Sequence, residues 1–318
     1  MTKKIKKFTL YFSTGLMILT GGIKIKLCKD ESKTFTKKVI SYTDNFTTDD
    51  FLVAAHRGFS SLEIENTLNS FSLANSKDYI DYIEIDIRLT KDKKLVLSHN
   101  NCLLTLQNKS VNISSKKLCE LQEMDFYCPN NPLLNINLSG DEINEDILKT
   151  RRKKLYPKKY QLTSLLECIN EQLNKKLILD LKCDTNYSKF IKELEKEISD
   201  IDINNIIFQS SNYEFLAKLQ EKHPEYNTSI IIKNNNDLKY IDCFDNVCIK
   251  KTLLTEDTIN TLLDKDKNIF IWTINNPSEI NSIADKLGDN YKSAIYISDY
   301  PDVIATCLHE KQLQKEKN

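Results

Sequence analysis

Nine short apolar runs recur between residues 51 and 298, and all but one of the gaps between them are long enough to hold a helix. The runs are FLVAAH (51–56), YIEIDIRL (82–89), KLVLSH (94–99), KLILDLK (176–182), IIFQS (206–210), TSIIIK (228–233), NVCIKK (246–251), NIFIWTI (268–274) and AIYIS (294–298). Helix-like stretches such as TLNSFSLANS, YSKFIKELEKEI and NYEFLAKLQEK lie between them. Strands alternating with helices of this length imply right-handed βαβ units and a parallel sheet. The exception is TKDKK, which alone separates Leu89 from Leu95. A parallel crossover needs a dozen or more residues, so these two strands form an antiparallel hairpin. The other eight strands close a (β/α)8 barrel. The expected fold class is therefore α/β, a TIM barrel with one extra hairpin strand.

Composition narrows the rest. A chain of 318 residues with 40% apolar content can fill one large core. Its 45 basic and 45 acidic residues balance, and no basic block marks a nucleic-acid face. Only six glycines occur, and no glycine-rich phosphate loop is present. The nine cysteines form no C-x-x-C pair, so they read as buried or incidental thiols. At the N-terminus Lys3, Lys4, Lys6 and Lys7 precede an apolar run from Phe8 to Ile23. Residues 1–23 are expected to be a signal peptide or, preferably, an uncleaved signal-anchor, making the protein membrane-anchored or secreted. Residues 24–50 read as a linker and 51–308 as the barrel. Residues 101–160 read as an irregular insertion at the barrel mouth, a partner surface or else a lid or a disordered loop, and 309–318 as a polar tail.

Chemistry gathers at strand ends. Glu84 and Asp86 are two apart on one strand and share a face. Alternation alone also fits a solvent-facing acidic strip. Paired carboxylates in a buried parallel strand, however, need a cation between them. A turn at Asp92-Lys93 would pair Lys91 with Lys94 and set Asp86 opposite His99. His56, Arg57 and Gly58 close the first strand, where barrel side chains face the active site. Arg57 offers a planar fork for an anion. Asp180 and Lys182 share a face of a third strand, either as a structural ion pair or as part of the same mouth. Three carboxylates, two histidines, an arginine and a lysine together suit metal-assisted phosphodiester hydrolysis.

The segments HRGFSSLEIENTLNSF, IEIDIRLTKDKKLVLSHN, LILDLK, IIFQSSNYEFLAKLQEKHP, IWTINNPSEI and YISDYPDVI follow one another in order. This series resembles the glycerophosphodiester phosphodiesterase family across residues 51–308. The resemblance implies that His56 and His99 are the general acid and base. It implies that Glu84, Asp86 and Asp180 hold a divalent cation, Mg²⁺ or Ca²⁺, with Glu65 of Glu-Asn-Thr in support and Trp272 lining the substrate pocket. Arg57 and Lys182 would share the phosphoryl charge. Asn100 stands where the family has aspartate, and Asp180 where it has glutamate. The implied reaction converts glycerophosphodiesters to glycerol 3-phosphate and an alcohol. A lysophospholipase D acting on membrane lysolipids, with association through residues 8–23, is an alternative. So is a catalytically silent barrel that binds phosphodiesters or a partner.

Overall fold

The structure, a computed structural model, describes residues 51–127, 159–171 and 173–315. The expected N-terminal segment and linker, and residues 128–158 of the expected insertion, lie outside them. The strands in chain order are β1 (Leu52–Ala55), β2 (Tyr82–Leu89), β3 (Leu95–Leu97), β4 (Cys102–Leu104), β5 (Ser110–Asn112), β6 (Phe126–Tyr127) and β7 (Lys159–Tyr160). They continue with β8 (Lys176–Leu181), β9 (Ile206–Ser210), β10 (Asn227–Ile232), β11 (Asn246–Lys250), β12 (Asn268–Trp272) and β13 (Ile295–Ser298). β1, β2 and β8 to β13 pair in parallel and the ring closes through β1, which bonds both β13 and β2. β3 joins antiparallel to β2. This is the expected eight-stranded barrel with one extra hairpin strand.

Alternation along each strand divides the core in two. Ile83, Ile85 and Ile87 point outward and pack in the layer under the helices, with Phe71, Phe190 and Phe215. Ala54, Tyr82, Ile178, Ile231, Phe270 and Ile295 point inward and fill the barrel below its mouth. Helices begin where a side chain can cap them. Thr67 accepts from Ser70 N, Ser164 from Glu167 N, Asn212 from Phe215 N and Thr255 from Thr258 N. The β10–β11 crossover departs from the pattern, with a 3₁₀ segment over Asn235–Cys243 in place of an α-helix. Its start, Lys-Asn-Asn-Asn-Asp, is rich in side chains that bond neighbouring backbone, as Asn234 Oδ1 does to Asn236 N at 2.9 Å.

The structure corrects one expectation and adds detail to two others. The hairpin pairs Ile87 with Leu97 and Leu89 with Leu95, one residue away from the expected register. Thr90 N donates to Lys94 O at 2.9 Å, and Lys93 takes φ +67° in a three-residue turn. A left-handed third residue is the usual solution for such loops. Asp86 therefore faces Ser98, whose N–H it accepts at 3.0 Å, and His99 lies just past the pair. Secondly, the described part of the insertion is ordered. The β4–β5 hairpin, helix Leu118–Gln122 and the β6–β7 pair enclose Leu103, Ile113, Leu121, Phe126 and Tyr160. This small core rests on the barrel through Val96 and Ile64. Thirdly, the last helix runs from Pro301 to Lys315, beyond the expected end of the barrel at 308.

Gly58 lets the chain leave β1. Its φ is +78°, and a Cβ there would lie 2.4 Å from Ser70 Oγ and 2.8 Å from the Ser70 carbonyl carbon. Gly58→Ala should cost about 1–3 kcal/mol in urea unfolding. An unchanged midpoint would show that this close approach is not needed.

Candidate active site

The site is built by register at the C-terminal end of the barrel. β2 and β8 pair so that Asp86 is the Cα partner of Asp180, and β9 adds Gln209 opposite Asp180. Glu84, Asp86 and Asp180 each bring a carboxylate oxygen within 4.8 Å of the others. One cavity is lined by these acids together with His56, Arg57, His99, Lys182 and Trp272, all expected from sequence. Glu65 stands behind Arg57, accepting from its Nη1 at 2.9 Å. The cavity has a volume of about 70 Å³. One water needs about 10–15 Å³, so there is room for several small polar groups.

Burying carboxylates is costly unless each finds a cation or a donor. Five buried acids (Glu65, Glu84, Asp86, Asp180 and Asp299) meet here, and among the described residues two permanent cations, Arg57 and Lys182, pair with them directly. Asp86 takes the most help. Its Oδ1 is 2.9 Å from Lys182 Nζ and its Oδ2 is 3.2 Å from Arg57 Nε. Asn66 Nδ2 donates to Oδ2 at 2.9 Å, while Asn66 Oδ1 accepts from Asp86 N at 3.1 Å. Although burial opposes its charge, Lys182 and Arg57 hold the Asp86 carboxyl well below the usual carboxylate range. Glu84 fares differently: burial, then Asp86 and Asp180, push it well above that range. Burial likewise lifts Glu65 to about 7, against the pull of Arg57. Lys182 also pairs with Asp180 Oδ2, and Asp180 Oδ1 is buried without a hydrogen-bond partner.

The turn after β1 is shaped by the same acids. Arg57 adopts φ +57°. Its N–H donates to Glu84 Oε2 at 2.8 Å, and its carbonyl accepts from Asn66 N at 3.0 Å and Ser70 Oγ at 3.1 Å. These bonds offset the strain of a left-handed non-glycine residue.

Each histidine is held from behind. His56 Nδ1 lies 2.6 Å from Asp299 Oδ1, and its Nε2 is 3.9 Å from Glu84 Oε2. Asp299 is fixed in turn by Ser60 Oγ at 3.1 Å and Asn275 Nδ2 at 2.6 Å. Neither Asp299 nor Asn275 was singled out from sequence. The available signal was position, since Asp299 directly follows the last barrel strand as His56 follows the first. His99 Nδ1 is 3.0 Å from Asn100 Oδ1, and its carbonyl accepts from Arg88 Nε at 3.0 Å. An acceptor behind Nδ1 leaves Nε2 as the basic nitrogen. The amide at position 100 thus performs the orienting role an aspartate would. Burial lowers His99 to about 4, with Asp86 opposing and Arg57 and Lys182 adding to the effect. Gln209 and Lys233 also line the cavity, and sequence reasoning did not select them.

Comparison with known proteins agrees with this fold. A model of the Glycerophosphoryl diester phosphodiesterase family matches residues 56–303. The Bacillus subtilis protein YhdW, which carries a provisional glycerophosphodiester phosphodiesterase name, is 30% identical over 79% of this chain and 96% of its own. A Silicibacter pomeroyi protein with a similar provisional name superposes with a TM-score of 0.66 at 17% identity, covering 82% of this chain and 94% of that one. An Oleispira antarctica phosphodiesterase, solved with its product sn-glycerol-3-phosphate, gives 0.62 at 21% identity over 85% and 99%. Fold and matches together define a barrel enzyme of the phosphoric diester hydrolase class. More narrowly, the chain belongs to the glycerophosphoryl diester phosphodiesterase family.

The neutral ring of His99 can be checked directly. Its pKa lies below the ordinary histidine value, so the ring should stay uncharged at pH 7 and protonate only as pH falls toward about 4. NMR titration of the metal-free protein should show this midpoint, and one near 6.5 would contradict it.

Proposed function

We propose that this chain hydrolyses glycerophosphodiesters to glycerol 3-phosphate and an alcohol, using His56 and His99 as general acid and base beside a divalent cation. The observation that carries the reading is the convergence of both imidazoles and three carboxylates on one cavity. The donor set fits a cation well. It is all oxygen, which suits Mg²⁺ or Ca²⁺, and it includes the buried, unpartnered Asp180 Oδ1. A cation would also relieve the mutual repulsion of three carboxylates whose oxygens lie within 4.8 Å of one another. Glu84, Asp86 and Asp180 would hold the ion, which when bound supplies charge neutralisation at a non-bridging phosphoryl oxygen.

The chain's own groups then divide the remaining work. Lys182 and Arg57 keep Asp86 ionised and hold the acid cluster in place. Burial favours the neutral form of His99, which suits it to take a proton from the nucleophile, either water or the substrate's own glycerol hydroxyl with water then opening the cyclic ester. His56, held through Nδ1 by Asp299, supplies a proton to the departing alcohol through Nε2. The basic and apolar segment 1–23 is proposed as a membrane anchor or export signal. Among the described residues, no helix is long and apolar enough to cross a membrane.

The test is release of glycerol 3-phosphate from glycerophosphocholine and glycerophosphoglycerol by the full chain, with Mg²⁺, with Ca²⁺ and with EDTA. Turnover should need a divalent ion and stop in EDTA. His56→Ala and His99→Ala should each lower kcat by about 10²–10⁴ without shifting the unfolding midpoint. Near-normal activity in either variant would remove that histidine from the chemistry. Full activity in EDTA would sink the cation.

A further inference from the structure

The cavity has a second wall that the proposed chemistry does not use. Going around the ring from Asp180 on β8, the next inward side chains are Gln209 on β9 and Lys233 just past β10. Gln209 is 1% exposed, and its Oε1 is buried without a hydrogen-bond partner. That carbonyl is an acceptor that calls for a donor from within the cavity. Lys233 stands at the rim, where its Nζ donates to Ser211 Oγ at 2.7 Å. Among the described residues its Nζ forms no ion pair, although its backbone N–H donates to Asp237 Oδ2 at 3.0 Å. Arg57 and Lys182, by contrast, are engaged by Glu65, Asp86 and Asp180. Burial, and then repulsion from Lys182, lower the proton affinity of Lys233 below that of an ordinary lysine, with Asp180, Asp237 and Asp184 opposing. An anion placed beside Lys233 would relieve that repulsion.

We propose that Gln209 and Lys233 form a recognition arm for phosphodiesters that carry a second anionic group, with a hydroxyl lying between it and the scissile phosphate. The proposal rests on the phosphodiesterase reading for where the scissile phosphate sits, against the acid cluster. From β8 to β10 is two inter-strand steps, about 10 Å around the ring. That reach suits a three-carbon polyol with a phosphoryl group at each end. The polyol hydroxyl donates to Gln209 Oε1, and the outer phosphoryl accepts from Lys233. A trimethylammonium headgroup offers neither a hydroxyl for Gln209 nor a negative charge for Lys233. An acyl chain would leave both polar groups unpaired.

Calorimetric titration of the full chain in Mg²⁺ buffer tests this, with glycerol 3-phosphate and glycerol 1,3-bisphosphate as ligands. The bisphosphate should bind about tenfold more tightly, the value of one added charge-assisted hydrogen bond. Lys233→Gln should shrink that advantage to about twofold or less, and Lys233→Arg should keep most of it. Propane-1,3-diol bisphosphate, which lacks the central hydroxyl, should bind more weakly than its glycerol counterpart, and Gln209→Leu should abolish that difference. Equal affinity for the mono- and bisphosphate, or a preference that survives Lys233→Gln, overturns the proposal. Turnover of glycerophosphocholine by the same sample reports on the catalytic reading separately. Turnover without the bisphosphate preference overturns only the recognition arm. The preference without turnover supports the arm and overturns the chemistry.

Discussion

Negative charge forced into the mouth of a closed barrel is the constraint from which the rest of the site follows. Carboxylates on β1's following turn, β2, β8 and the end of β13 meet where little water reaches them. Such a cluster survives only if donors and cations enter with it. Arg57 accepts a left-handed backbone to bring its N–H to Glu84 and its guanidinium to Glu65 and Asp86. Gly58 must follow, because Ser70 packs against the turn with no room for a side chain. Asn66 spans from Arg57's carbonyl to both the backbone and the side chain of Asp86. Local conformation in the first βα loop is thus dictated by charges carried on a different strand.

The same accounting separates the two halves of the cavity. One half, from β13 through β1 and β2 to β8, holds the acids, both permanent cations paired with them, and His56. The antiparallel strand β3 exists on this side only, and the chain leaving it delivers His99. The other half, β9 to β12, offers Gln209, Lys233, Ile231, Cys248 and Trp272, with far less charge. The acids and imidazoles are in reach of one another only in the first half, and the second presents a less charged wall. Trp272 belongs to that wall, half-buried, with its Nε1 donating to Cys248 O at 3.3 Å. The protein's one tryptophan therefore lines the cavity rather than the sealed core beneath it.

Much of this was legible beforehand where the signal was periodic. The run YIEIDIRL announces a strand, and its alternation places Glu84 and Asp86 on one face opposite Ile83, Ile85 and Ile87. Five residues between Leu89 and Leu95 force a hairpin. The register of that hairpin was not legible, because Lys93 could enter the left-handed region without being glycine or asparagine. The order within the insertion was also hidden, since Leu103, Ile113, Phe126 and Tyr160 are scattered singly among polar residues and form a core only when folded together. Asp299 looked like any acid before a proline-capped helix. Its role behind His56 depends on β1 and β13 being neighbours although 243 positions apart.

The sequence by itself determined the number and order of the barrel strands, the hairpin, and which residues could do chemistry. Those properties rest on alternation, spacing and side-chain type, all of which are local. Tertiary structure alone decided which of those residues meet. Ring closure set Asp86 beside Asp180, β13 beside β1, and Lys233 within one cavity of the acid cluster. Partners and proton affinities follow from that packing, because the energy of a buried charge depends on what surrounds it rather than on its neighbours along the chain.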